Sequence, residues 1–349
     1  MLTPELMMMN GAQSAQAFGG FGTKFSDPAT LPTGIGNGVA FSPAGNAIAV
    51  AHDASPYITV YPWSVSGFGT KFANPATLPG GNGKGVAFSP AGDAIAIAHF
   101  GTPHTTVYPW STSGFGTKFA NPATLPGYNG EDVCFTFNGD AIAIASSGPP
   151  YINVYPWSAS GFGTKFSNPA APPTGVALGA AFSPDGTAIA VASSKYLDYL
   201  HAYPWSASGF GTKFADPATM LSSYGLEVEF YPDGTVLLVT NNAGTGMNAY
   251  TWSGSGFGTL FAAASTNNLS GRRSASFAPQ GDAVVIGGSH ATPIHAYPWS
   301  ASGFGTKFSD PATLPAGNVH RIKISPLGNT LAVGHVDSPY ITAYTVVKP

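Results

Sequence analysis

Short apolar runs of four to six residues alternate with clusters of Gly, Pro, Ser and Asn along the whole chain. Ala47, Ala49 and Ala51 interleave with Ile48 and Val50, the period of two that puts successive side chains on opposite faces of a strand. Gly38-Val39-Ala40-Phe41 precedes this run, separated from it by Ser42-Pro43-Ala44-Gly45-Asn46. That linker reads as a tight turn, because Pro presets φ and Gly accepts a positive φ. Tyr57–Tyr61 forms a third run, Ser64–Gly67 a second turn, and Phe68–Phe72 a fourth run. The pattern therefore predicts four strands, a to d. In strand d, Phe68, Thr70 and Phe72 share one face, and Gly69 and Lys71 the other. Pro62 has no ladder donor, so strand c is expected to end or bulge there.

The same grammar recurs. GFGTKF returns with its first Phe at Phe21, Phe68, Phe115, Phe162, Phe210, Phe257 and Phe304, one copy carrying Leu260 in place of Lys. YPW ends at Trp63, Trp110, Trp157, Trp205 and Trp299, with YTW at Trp252. Spacings of 47 or 48 residues with four strands per unit predict one propeller blade per repeat. The expected fold is all-β: a single seven-bladed β-propeller of four-stranded antiparallel blades over residues 18–349. Bulky faces of strand b should nest against alanine faces, and the strand-d Phe residues should pack between blades. The first d strand, Phe21–Phe25, precedes every a-b-c module, and the last module stops at Tyr344 without one. The N-terminal strand should therefore complete the C-terminal blade and remove two open edges. Residues 1–17 lie outside the repeat. Met7, Met8 and Met9 offer flexible side chains for docking onto a neighbouring protein.

Composition narrows the class. The chain of 349 residues holds 45 Gly and 31 Pro, which excludes a helical bundle. With 44% hydrophobic and 13% aromatic residues it is too apolar for disorder. Charged residues are 8%, against ~25% in ordinary domains, because one charge-poor unit is copied seven times. A net charge of −3 carries no basic excess, so no nucleic-acid partner is expected. One cysteine, Cys134, excludes an internal disulfide framework and a CxxC zinc site. The N-terminus lacks a signal-peptide pattern, and no apolar run approaches the ~18 residues of a membrane span, so neither a signal peptide nor membrane insertion is expected.

The hairpin string Ala181-Phe182-Ser183-Pro184-Asp185-Gly186 resembles the WD-repeat and related bacterial propellers. The chain departs from that pattern: Ser64, not Asp, follows Trp63, and no Gly-His precedes strand a. The hydrogen-bond network of a true WD repeat should therefore be absent. The longer string YPWSASGFGTKFxDPATLP resembles repeat proteins encoded by tailed bacteriophages. That resemblance implies a virion component, a tail- or capsid-associated attachment or decoration module within a larger assembly. Its partners would be other virion or scaffold proteins, or a host-surface glycan or protein.

Propellers host many functions, so candidate sites are sought where the copies differ. The a–b and c–d turns vary little. The b–c connections vary most, together with the d–a connections, and in this topology both lie on one face. The b–c set supplies His52 and Asp53, then His99, Phe100 and His104, then Lys195, Tyr196 and Tyr199. It continues with Asn241 and Asn242, His290, and His335. The d–a set supplies Tyr128, Tyr224, Arg272, Arg273, His320 and Arg321. This face is expected to bind a partner; the competing reading is drift in unconstrained loops. His52, His99 and His335 occupy one repeat position, but equivalent sites in adjacent blades lie too far apart for one ion with ligand bonds of ~2 Å. No metal or cofactor is expected.

Arg272, Arg273, Arg321 and Lys323 could form a basic patch for an anionic ligand, or pair with Glu227 or Glu229 in the neighbouring blade. The Tyr-Pro-Trp residues read as blade packing, and the six Lys of GFGTKF as an outer ring that discourages edge pairing. No GxSxG, HExxH, P-loop or DxDxDG motif is present. The expectation is a non-enzymatic interaction protein. The alternatives are a propeller lectin, or a lyase or hydrolase using one asymmetric pocket near Glu229, Arg273 and His320.

Overall fold

The structure is a computed structural model that describes residues 15–196, 198–242, 246–264 and 270–349, with the side chains of 270–273 left aside. Met7, Met8 and Met9 lie outside the described residues, as do the side chains of Arg272 and Arg273.

Among the described residues, twenty-eight strands form seven antiparallel sheets of four. Blade 1 comprises strands a (Gly36–Phe41), b (Ala47–His52), c (Ile58–Ser64) and d (Gly67–Phe68). The a strands of blades 2 to 7 are Gly83–Phe88, Gly130–Phe135, Ala177–Phe182, Gly225–Phe230, Ser270–Phe277 and Val319–Ile324. Each a strand packs against the next, and the seventh against the first, which closes the ring about a central channel. Phe21–Lys24 pairs with Ile341–Val346 as the outermost strand of blade 7, Phe21 opposite Val346 and Lys24 opposite Tyr344. The expected closure by the N-terminal strand is the arrangement found.

Period-two alternation sets the packing between blades. Ile48 and Val50 of blade 1 pack with Ile341 and Ala343 of blade 7. Ala47, Ala49 and Ala51, on the opposite face, receive Ile95 and Ile97 of blade 2. A flat alanine face against a branched one lets neighbouring sheets interdigitate without voids. Phe72 leaves its own blade to meet Trp110 of the next, edge to face at 5.0 Å between ring centroids. Tyr61 is fully buried, and its hydroxyl donates to the Thr30 carbonyl at 2.7 Å. Tyr108 and Tyr155 make the same bond to Thr77 and Thr124. The Tyr-Pro-Trp residues are thus blade-edge structure.

The proline expectation needs correcting. Strand c runs through Pro62 to Ser64, and strand d is the one cut short, to Gly67–Phe68. The Pro62 carbonyl faces strand d, where it accepts from Gly69 N at 2.8 Å. The missing N–H therefore points at strand d as well, and the ladder to the edge fails there. Blades 5 and 7 carry Thr251 and Thr345 at this position. Their outer strands, Gly256–Leu260 and Phe21–Lys24, run five and four residues. Gly67 sits at φ +98°, which L side chains rarely adopt, so the c–d turn requires glycine.

Candidate functional site

The channel waist carries a charge network drawn from alternate blades. Arg321 of blade 7 reaches Asp132 of blade 3 at 2.7 Å and Glu227 of blade 5 at 2.5 Å. Lys323 contacts Glu229 at 2.9 Å and Glu227 at 3.5 Å. Three long side chains meet on the axis because blades 1, 2 and 4 offer Gly38, Gly85 and Gly179 at the same position. A Cβ on Gly85 would come within 2.7 Å of Asp132 Oδ1. The acids also complete the inner edges of their neighbours. Glu227 Oε2 accepts from Ala275 N at 3.2 Å, Glu229 Oε1 from Phe277 N at 3.0 Å, and Asp132 Oδ2 from Ala180 N at 3.4 Å. In blade 6, Ser274 Oγ accepts from Ile322 N at 2.9 Å. Each backbone N–H on the open edge of an a strand would otherwise be unsatisfied.

Burial would raise all three carboxyls. Arg321 and Lys323 outweigh it at Glu227 and hold that group below its usual range. Asp132 and Glu229 stay raised, since burial there exceeds the pull of Arg321 and Lys323 respectively. The expected basic patch at Arg321 is therefore neutralised. The pairing is with Glu227, as one reading anticipated, but it crosses the channel instead of joining neighbouring blades. Burial also pushes the Cys134 thiol up.

The three repeat-equivalent histidines are interior struts. His52, His99 and His335 are 0% exposed, and each Nε2 meets a strand-c hydroxyl: Thr59 at 3.0 Å, Thr106 at 2.9 Å and Thr342 at 2.9 Å. Burial lowers each to a pKa of about 4, so the rings are neutral near pH 7. They cannot touch a partner on the folded surface, which corrects the expected contact role. Asn241 is also fully buried and is withdrawn with them. Phe100, Asp53, His104 and His320 are half-buried, whereas Lys195, Tyr196, Asn242, His290 and Tyr128 are exposed.

The d–a and b–c connections meet on one face, as expected. Thr33 donates to the Ser55 carbonyl at 2.7 Å, and Asn242 N donates to the Tyr224 carbonyl at 3.2 Å. At the inner rim of this face, six a strands break register by one residue. The breaks fall between Gly36 and Gly38, Gly83 and Gly85, Gly130 and Asp132, Ala177 and Gly179, Gly225 and Glu227, and Val319 and Arg321. A β-bulge re-aims one side chain. Here the bulged residues are Asn37, Lys84, Glu131, Leu178, Leu226 and His320, and all six line a cavity of about 260 Å³ at the channel mouth. Sequence reasoning picked out only His320 among them. The signal was present: this is the strand-a position at which five residue types occur in six copies.

Tyr224 and Asn242 line the same cavity. Tyr224 is 45% exposed and meets Tyr199 edge to face at 6.0 Å, and Tyr199 meets Tyr196 at 6.3 Å. Tyr199 is 6% exposed and Tyr196 72%, so a buried ring braces two presented ones. Repeat-identical blades cannot build such a site. It arises where the b–c connection of blade 4 has diverged.

Neither a protein-family model nor a curated protein sequence matches the chain. Solved structures do. Kuenenia stuttgartiensis hydrazine synthase superposes with a TM-score of 0.70 at 13% identity, covering 92% of this chain and 98% of that one. The Cps50 (Swd1) β-propeller domain of Myceliophteria thermophila superposes with a TM-score of 0.67 at 13% identity, covering 91% and 99%. At such identities the likeness establishes the fold alone: the chain is a seven-bladed β-propeller closed by its N-terminal strand.

Proposed function

We propose that the protein is a non-enzymatic interaction module that holds a partner against the face formed by its d–a and b–c connections. One observation carries this reading. The copies repeat closely through strands b to d and their turns, yet the six bulged residues at the channel mouth are of five different types. A symmetric surface offers seven equivalent weak contacts; an asymmetric mouth offers one specific site. Exposed tyrosines beside a concave mouth are the residues that dominate binding energy in recognition surfaces. The non-enzymatic part is supported by Glu227 and Glu229, two carboxylates on one face of a strand, whose oxygens are engaged by Arg321, Lys323 and backbone N–H groups. The setting we propose is a phage virion, on the resemblance of the YPWSASGFGTKF string. Mass spectrometry of purified particles tests the setting, and absence of the chain from them removes it. Chemical cross-linking of the full chain in its native extract, followed by mapping of linked lysines, tests the face. Cross-links confined to the opposite face would refute the reading.

A further inference from the structure

We infer that the lower end of the channel is a docking site for this chain's own N-terminal segment, with Met7, Met8 and Met9 as the side chains it receives. This goes beyond the interaction reading above and concerns the opposite face.

The charge network divides the channel. Below it, towards the a–b turns, lies a second cavity of about 320 Å³, lined from six of the seven blades. Its shape follows from the repeat. Strand a returns a side chain to the channel every second residue, so the residues two beyond Gly38, Gly85, Asp132 and Gly179 face it again. In blades 1 to 4 these are Ala40, Ala87, Cys134 and Ala181. Blades 5 and 7 place Glu229 and Lys323 at this level, joined at 2.9 Å. Four small side chains in consecutive blades leave room against one wall.

The charged groups are already engaged. The charged residues lining this cavity are Asp132, Glu227, Glu229, Arg321 and Lys323, the members of the network itself. Arg321 and Lys323 take one oxygen of each acid, and backbone N–H groups of neighbouring blades take the other. A charged occupant would have to break one of these pairs. An uncharged apolar one fills the alanine side and disturbs none.

The described chain begins beside this opening and points at it. Phe21 lies in the outermost strand of blade 7. Followed backwards, Gly19 N donates to the Val347 carbonyl just past strand c, and Gln16 N to the Leu327 carbonyl in the a–b turn, each at 2.7 Å. Gln280, in the a–b turn of blade 6, holds the Ala15 carbonyl at 2.7 Å. The path thus runs inward across the blade, and Pro326, the residue before Leu327, lines the cavity. Met9 stands six residues before Ala15, a reach of up to ~20 Å when extended. A four-stranded blade is only ~14 Å wide at ~4.8 Å per strand spacing.

The segment suits the site. Leu6, Met7, Met8 and Met9 form its longest apolar run, and Glu5 is the one charged side chain in residues 1–14. Methionine is unbranched and adapts to irregular gaps. A partner's apolar loop could enter the same opening, but this segment is tethered at its rim, and a short tether supplies an effective concentration of order mM. With the lower end filled, the channel opens at the d–a and b–c face.

Cys134 lines the cavity and is the chain's one cysteine, so it reports what lies there. Full chains carrying Met7→Cys, Met8→Cys or Met9→Cys are oxidised with copper phenanthroline at low concentration and digested without reduction. At least one should form an intrachain disulfide with Cys134. Val65→Cys, in the c–d turn of blade 1 at 87% exposure, should form none. In a second measurement, the full chain with Met7→Ser, Met8→Ser and Met9→Ser together should keep its β-sheet spectrum and have Cys134 alkylated at least about tenfold faster than the parent. Failure of all three cysteine variants to form the intrachain bond, disulfides only between chains, or an unchanged alkylation rate overturns the inference. None of these outcomes touches the interaction reading of the opposite face.

Discussion

Replacing the three histidine–threonine struts should remove a defined part of the protein's acid sensitivity. His52, His99 and His335 have folded pKa values of about 4 against 6.5 for the free side chain. Between pH 6.5 and 4 the unfolded chain binds protons at these positions and the folded chain does not. The stability these neutral rings permit is therefore complete above pH 6.5, falls as the pH drops, and stops falling near pH 4. By linkage each histidine costs about 2 kcal/mol at pH 5 and about 3 kcal/mol by pH 4. Blade 3 supplies a replacement that does not titrate: Ser146, with Asn153 Nδ2 donating to its Oγ at 3.2 Å. The variant carries H52S and T59N, H99S and T106N, and H335S and T342N. Urea midpoints followed by tryptophan fluorescence from pH 7.5 to 4 provide the assay. The variant is expected to be less stable than the parent at pH 7, because smaller side chains leave voids, but to lose less stability on acidification. The carboxylates titrate alike in both proteins and cancel in the comparison. Parallel curves for parent and variant would refute the assignment of these rings as buried and neutral.

Other outcomes follow from the packing. Arg321→Met leaves Asp132 and Glu227 facing each other in the channel and should cost about 3–5 kcal/mol in urea unfolding, whereas Lys323→Met, at a more exposed site, should cost less. Phe18 is 3% exposed and packs on Phe21 and Phe308 beneath the closing strand, so Phe18→Ala should cost about 3–4 kcal/mol by the same assay and promote aggregation through an opened blade 7. Thr251→Pro should shorten the outer strand of blade 5, read as lost hydrogen-exchange protection at residues 258–260. Cys134 should resist alkylation in the native protein and react on unfolding, since burial raises its thiol pKa.

The architecture was legible because it is written seven times. Period-two alternation in Ala47–Ala51 and the misplaced first strand at Phe21 were enough to place every blade and the closure. The consequence of Pro62 was read on the wrong strand, because which side of strand c its missing donor faces depends on register, not on composition. His52, His99 and His335 look like loop residues in one dimension. They are interior because each b strand ends under its own b–c turn, with a strand-c hydroxyl in reach. Arg321 meets Asp132 although 189 residues separate them. Only ring closure brings alternate a strands to a common axis, and nothing local in either segment announces it. The bulged positions were visible as divergence between copies, but their shared aim into the channel mouth is a property of the register break.

The central claim is that binding resides in the non-repeated part of one face. The direct measurement replaces the b–c connections of blades 4, 5 and 6 with the blade 1 sequence 53–57, leaving the a–b and c–d turns in place, and compares ligand or partner binding with that of the parent at equal concentration. An unchanged β-sheet spectrum with binding abolished is the result predicted. Undiminished binding by the symmetrised propeller would contradict the account.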